Sequence, residues 1–280
     1  MWATGTHANE SLQRVRARTC HMLTVSDDGR DRLRAVQPGD RWLVAVAHPD
    51  DEAFVCGSLI AHAASMGAAV TVLCATRGEL GESAIELPVG VTLGEQRAAE
   101  LRDAVALLGG TVRLLGHHDS GFDGEMPDGA FCAADADMLR GELLHHIEQI
   151  RPHVVCVLDG SDGHRDHLFM RAAIIDALHV HTDEVSLYES ILPNSLMRRW
   201  LAEMRDLRPD TVYMSIDPDT FGRPDLEVTD VLDQSHLLAL REAAMAAHRS
   251  QTTPFDGLSD DLRRSFISSD YLARVPIIRT

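Results

Sequence analysis

An unbroken apolar run over residues 42–47, Trp-Leu-Val-Ala-Val-Ala, leads straight into His48-Pro49-Asp50-Asp51-Glu52. Runs of about six apolar residues bounded by turn formers fit strands covered on both faces, as in a parallel sheet. Comparable runs recur at 69–75 and 154–158, with amphipathic stretches of helical length between them. This alternation predicts an α/β domain of Rossmann-like type, a mostly parallel sheet with helices on both faces. Sheets of that kind bind ligands beyond the carboxyl ends of their strands. The first run therefore aims a histidine and two neighbouring carboxylates at the expected ligand crevice.

A helix is expected over about 51–66, with Val55, Leu59, His62 and Met66 on one face and Gly67 ending it. Thr92-Leu93-Gly94-Glu95 reads as a capping box opening a helix that turns Ala98, Leu101, Val105 and Leu108 inward before Gly109-Gly110. A short strand at 111–115 follows. A helix over roughly 134–150, carrying Leu139, Leu143, Ile147 and Ile150, stops before Pro152. Later pieces are a helix from His167, strands near 185–188 and 211–216, and a helix over about 230–248. Residues 1–40 are expected to be an N-terminal extension. Residues 41–280 are expected to form one domain, with its motifs in 41–182 and a small C-terminal addition in 183–280.

Composition removes several function classes. The net charge of −17 argues against nucleic-acid and anionic-membrane partners, which demand a basic face. All 26 basic residues are arginine, so a Schiff-base lysine, a pyridoxal-phosphate anchor and the lysine of a phosphate-binding loop are excluded. Five cysteines without a CxxC pair, two of them in expected strands, read as reduced core residues. No apolar stretch approaches the roughly 18 residues needed to span a bilayer, and a soluble cytoplasmic enzyme is expected.

His48 and Asp51 are three apart, close enough to share a metal if the chain turns at Pro49, which leaves Asp50 with an unused carboxylate. Imidazole with carboxylate suits zinc best, with iron, manganese or nickel as other divalent candidates. A catalytic zinc takes three protein ligands and keeps an open position, so a further histidine is needed. His164-Arg165-Asp166-His167, after the 154–158 run, supplies one at the end of another strand. A carboxylate-rich helix start without metal would look like the first motif alone; the second cluster argues against it. Polar loops at 76–81, 116–121 and 159–164 should rim the same crevice, with Arg77 and Asp119 as candidate substrate contacts.

These segments together resemble the LmbE-like, or PIG-L-like, zinc-dependent N-deacetylases. The resemblance rests on His48-Pro49-Asp50-Asp51-Glu52, Thr76-x-Gly78-Glu79-x-Gly81 and His164-x-Asp166-His167, in the family's order over residues 41–182. Gly116-x-x-Asp119-Ser120-Gly121 and Ala247-His248-Arg249-Ser250-Gln251 are similar to segments of its thiol-biosynthesis branch. The resemblance implies that His48, Asp51 and His167 bind zinc, that Asp50 is the general base, and that His164 polarises or protonates at the tetrahedral centre. Asp166 is then a candidate orienter of His164. The implied substrate is a small molecule bearing an N-acetylglucosaminyl group, a thiol precursor or a glycosylated natural product. S-conjugate amidase activity, or a noncatalytic sugar-binding role on the same fold, are the alternatives. Two positions depart from the family: Arg165 stands where proline is usual, and Asp162 falls near where some members carry a tyrosine.

Overall fold

A computed structural model describes residues 31–209 and 211–278. Most of the expected N-terminal extension, with Cys20, lies outside these residues; Leu33 and Val36, just ahead of the first strand, are buried. The strands are β1 (Arg41–Val46), β2 (Ala69–Cys74), β3 (Thr111–Leu114), β4 (Val154–Leu158), β5 (Ser186–Ser190), β6 (Asp230–Asp233) and β7 (Ser269–Val275). They form a single sheet in the order β3-β2-β1-β4-β5-β7-β6. The first five are parallel, whereas β7 runs antiparallel to β5, and β6 antiparallel to β7.

The helices are α1 (Asp51–Phe54), α2 (Gly57–Ser65), α3 (Leu93–Leu107), α4 (Ala136–Ile150), α5 (Arg165–Val180), α6 (Asn194–Leu207), α7 (Leu238–Ala247) and α8 (Asp260–Ile267). Successive strand residues face opposite sides, so β1 divides its side chains between two cores. Trp42, Val44 and Val46 join α2, α3 and α6 to α8 on one face; Leu43 and Ala45 join α4 and α5 on the other. Both faces being covered is why the run carries no polar residue. Each large apolar side chain sealed there contributes about 1.5–3 kcal/mol.

The capping box holds: Thr92 Oγ1 accepts from Glu95 N and the Glu95 carboxylate accepts from Thr92 N. Other expectations change. The helix expected over 51–66 is broken at Val55-Cys56 into α1 and α2, because the Arg241 guanidinium captures the carbonyls of Ala53 and Phe54. Met66 is exposed rather than inward. The α5 helix begins at Arg165, two residues before the expected start, with His164 as its N-cap. No strand forms over 211–216. The place beside β5 belongs to β7, and Val212–Met214 is a 3-10 turn instead. Asp230–Asp233, expected as helix, is strand β6, since Val231 and Leu232 pair with Tyr271 and Asp270 of β7. The elements α6, α8 and β7 were not anticipated, although Ser259, whose side chain accepts from Leu262 N, is a conventional helix cap.

Candidate active site

Reading across the sheet, the chain order reverses between β1 and β4, and crevices of open α/β sheets form at such a switch point. The 48–52 motif leaves β1 there, and the 159–164 loop leaves β4 beside it. The turn is tight. Asp50 adopts φ 118°, a conformation L-residues rarely hold, and the Asp51 carboxylate folds back to accept from the backbone of Ala47 (3.2 Å) and His48 (2.9 Å).

Each buried imidazole is oriented by a carboxylate. His48 Nε2 lies 3.1 Å from Asp166 Oδ2, and His167 Nδ1 lies 2.7 Å from Asp162 Oδ2. With His48 Nε2 and His167 Nδ1 turned to these carboxylates, His48 Nδ1 and His167 Nε2 are the nitrogens that offer lone pairs once the imidazoles are neutral. Those two atoms face each other at 3.3 Å. Asp51 Oδ1 stands 3.3 Å from His167 Nε2, and Asp51 Oδ2 3.8 Å from His48 Nδ1. Ligands about 2.0–2.1 Å from a tetrahedral zinc are separated by roughly 3.3–3.4 Å. Facing lone pairs beside a carboxylate call for a cation, and the cluster can hold a divalent metal. His48 and His164 with His167, and His48 with Asp119 and Asp166, also fall within metal-ligating distance of one another.

The titrations follow from this crowding. With no cation in the cluster, burial opposes charge on His48, yet hydrogen bonds to Asp119 and Asp166 and the nearby Asp51 push it up to about 9, so a bound metal would displace its proton. Burial also opposes charge on His167, and Asp51 and Asp162 outweigh it, raising that group as well. His164 goes the other way, pushed down to about 4 by burial and by the charges of His48 and His167. Asp50 is raised to about 6 by burial, against the pull of Arg97.

A crevice of about 290 Å³ opens over the cluster, lined by His48, Asp50, Asp51, Asp119, His164 and His167 among others. His164 lies close to both other imidazoles, with ring centroids 4.5 Å from His48 and 4.9 Å from His167. Its Nδ1 accepts from Asp166 N at 3.2 Å, which leaves the proton on Nε2. The expected pairing of Asp166 with His164 is thus corrected. That contact is through the Asp166 backbone, while its carboxylate serves His48, Ser120 N and the Cys132 thiol.

The two expected sugar contacts fare differently. Asp119 lines the crevice but is buried, and its oxygens accept from Leu80 N and Gly121 N while Oδ1 sits 3.5 Å from His48 Nε2. Arg77 is exposed and does not line the crevice. Gly94, at the start of α3, packs against this loop, where an added Cβ would meet the Arg77 Cβ at 3.2 Å.

Sequence reasoning missed several residues that shape the site. The buried Arg97 guanidinium donates to Pro49 O (2.7 Å), Gly78 O (2.9 Å) and Asp50 Oδ2 (3.1 Å). Gly78 is required there: its φ is +64° and a Cβ would meet the Arg97 Nη1 at 2.4 Å. Glu52, wholly buried, binds His248 Nε2 at 2.6 Å and accepts from Asp50 N, tying the late 247–251 segment to the first motif. Arg165, the departure from proline, clamps the carbonyls of Ser120, Gly121, Asp123 and Gly124, and so holds the loop that presents the exposed Phe122 at the crevice. No motif spacing marks an arginine on a distant helix; only its being buried does.

Residues 43–178 match the family described as PIG-L, GlcNAc-PI de-N-acetylase. A 1D-myo-inositol 2-acetamido-2-deoxy-alpha-D-glucopyranoside deacetylase of Thermomonospora curvata is 33% identical over 263 residues, covering 82% of this chain and 89% of the relative. The chain belongs to the PIG-L family. Among solved structures, the N,N'-diacetylchitobiose deacetylase of Pyrococcus horikoshii aligns with a TM-score of 0.56 at 17% identity, covering 99% of this chain and 94% of that one. The 4-carboxy-2-hydroxymuconate hydratase GalB of Pseudomonas putida aligns at 0.58 and 20% identity, covering 85% and 96%. At these identities the structures share the PIG-L fold alone, and the hydratase illustrates that the scaffold by itself does not choose the chemistry.

Proposed function

We propose that this chain is a zinc-dependent N-deacetylase that hydrolyses the acetamide of an N-acetylglucosaminyl group on a small molecule, an inositol glycoside being the first candidate. The observation that carries the reading is the pair of imidazole nitrogens 3.3 Å apart beside Asp51, with Asp50 and His164 at the same crevice. The named activity of the Thermomonospora curvata relative supports the same substrate class. His48, Asp51 and His167 would hold the metal. When bound it supplies Lewis acidity toward a carbonyl oxygen and makes a water more acidic.

The remaining work falls to the chain. Asp50, pointed into the crevice by Arg97 and by its own constrained backbone, takes a proton from the attacking water. The water oxygen bonds to the acetyl carbon, and the His164 Nε2–H donates to the oxyanion that forms. Asp50, having gained the water proton, passes it to the departing amine as the C–N bond breaks, releasing acetate. Exposed Phe122 offers a flat apolar face to a sugar ring. Among the described residues no helix is long and apolar enough to cross a membrane.

The test compares acetate release from N-acetylglucosaminyl inositol with that from a plain N-alkyl acetamide, in wild type and Asp50→Asn, alongside elemental analysis. Turnover of the sugar substrate, far slower turnover of the simple amide, and an Asp50→Asn protein that keeps its metal but loses about 100-fold or more in kcat are expected. Equal rates with and without the sugar would overturn the substrate assignment.

A further inference from the structure

Behind the cluster lies a second cavity, of about 220 Å³, that shares Asp51 and His167 with the polar crevice. Its surface is mostly apolar, although Asp162, Arg241 and Asp270 also line it. Phe54, Trp200, Phe255 and Phe266 wall it, all buried, and the Trp200 N–H is already donated to Pro254 O, so the indole offers the cavity no free donor. Phe54 packs edge to face on Phe255 at 6.4 Å, and Phe255 meets Phe266 at 5.2 Å with the rings tilted by 34°. Neither Asp50 nor His164, which line the crevice, lines this cavity.

An amide carbon bears an oxygen, a nitrogen and one carbon substituent. If the oxygen faces the His48–Asp51–His167 cluster and the nitrogen carries a sugar, the sugar belongs in the polar crevice. The carbon substituent is then left with the apolar cavity, whose lining meets that of the crevice at Asp51 and His167. An acetyl group places only a methyl there. An apolar cavity of about 150 Å³ takes benzene, so one of about 220 Å³ takes roughly six to nine carbons.

We propose that this cavity receives the acyl chain of an N-acyl amino sugar, so that the chain removes medium-length or aromatic acyl groups in preference to acetyl. This rests on the amide-hydrolase reading of the site and goes beyond it: the acetamide is hydrolysed, and a longer N-acyl group is the better substrate. The bond made and broken is unchanged: water adds to the acyl carbon, the C–N bond breaks, and a carboxylate and a free amine leave.

The test measures free amine released by the zinc-loaded protein from N-acetyl, N-butanoyl, N-hexanoyl, N-octanoyl and N-dodecanoyl glucosamine, with octyl N-acetylglucosaminide as the control for an apolar aglycone. A kcat/KM at least tenfold higher for hexanoyl than acetyl, falling again at dodecanoyl, is expected. Leu192→Trp, which fills the cavity, should lower the hexanoyl-to-acetyl ratio at least tenfold. Rates that fall steadily with acyl length overturn the proposal, as does a preference shown for the octyl glycoside alone. Calorimetric titration of Asp50→Asn reads the cavity without the reaction. Hexanoyl glucosamine binding at least tenfold tighter than the acetyl compound supports the proposal, and equal affinities overturn it, even if no substrate is turned over and the deacylase reading itself fails.

Discussion

Replacing Arg97 by methionine keeps the alkyl body and removes the guanidinium, which isolates what that charge does for Asp50. The pair is nearly sealed, with side-chain exposures of 6% and 16%, and the closest approach is 3.1 Å. At an effective dielectric near 20 the Coulomb attraction is at most about 5 kcal/mol, and the desolvation of both ions takes back much of it. Groups in direct contact typically couple by about 0.5–3 kcal/mol, and this geometry should give about 2 kcal/mol. The single substitution should cost more, about 3–5 kcal/mol, since it also strips the donor from Pro49 O and Gly78 O and leaves Asp50 without its counter-ion. Urea unfolding of wild type, Arg97→Met, Asp50→Asn and the double variant measures this. Asp50→Asn should cost about 2 kcal/mol less in the Arg97→Met background than in wild type. Metal content should be unchanged while kcat falls about tenfold or more, because Asp50 loses the contact that points it. A coupling indistinguishable from zero would refute the view that Arg97 holds Asp50 through charge.

Two further outcomes follow from other buried carboxylates. Asp166→Asn removes the charge facing His48 Nε2, and should weaken metal binding about 10- to 100-fold in a chelator competition, while circular dichroism stays native; unchanged affinity would deny Asp166 that orienting role. Asp270 is held up at about 6 by burial, although Arg241 lies 3.5 Å away and pulls it down. Its ordinary value is 3.8, so between these values the folded chain keeps a proton the unfolded chain has lost, and stability falls as pH rises through that window. Asp270→Asn lacks this titration. Its Tm minus that of wild type should therefore become more positive from pH 4 to pH 7, the whole effect reaching about 3 kcal/mol at most; a difference constant across that range would rule out the raised carboxyl.

The residues that touch the expected metal were legible in the sequence because they are local to strand ends. An apolar run long enough for one buried strand states its own carboxyl end, so His48, Asp50 and Asp51 announced their place, and His164 and His167 did the same after β4. The capping box at Thr92 was likewise readable, since its two hydrogen bonds join residues three apart. What the sequence could not state were pairings between distant segments. Val231 and Leu232 look equally at home on a helix face, and only the neighbouring β7 made them a strand. The break between α1 and α2 comes from an arginine 188 residues away, whose guanidinium takes the carbonyl the helix would have used. The orienting carboxylates divided along the same line. That each imidazole needed one followed from its chemistry, but that Asp166 serves His48 and Asp162 serves His167 depended on how α5 docks against the end of β1. The aromatic cavity gathers residues from Phe54 to Tyr271 and exists only in the folded chain. Periodicity and spacing describe contacts within one element. Where elements from opposite ends of the chain meet is decided by packing, which no local pattern encodes.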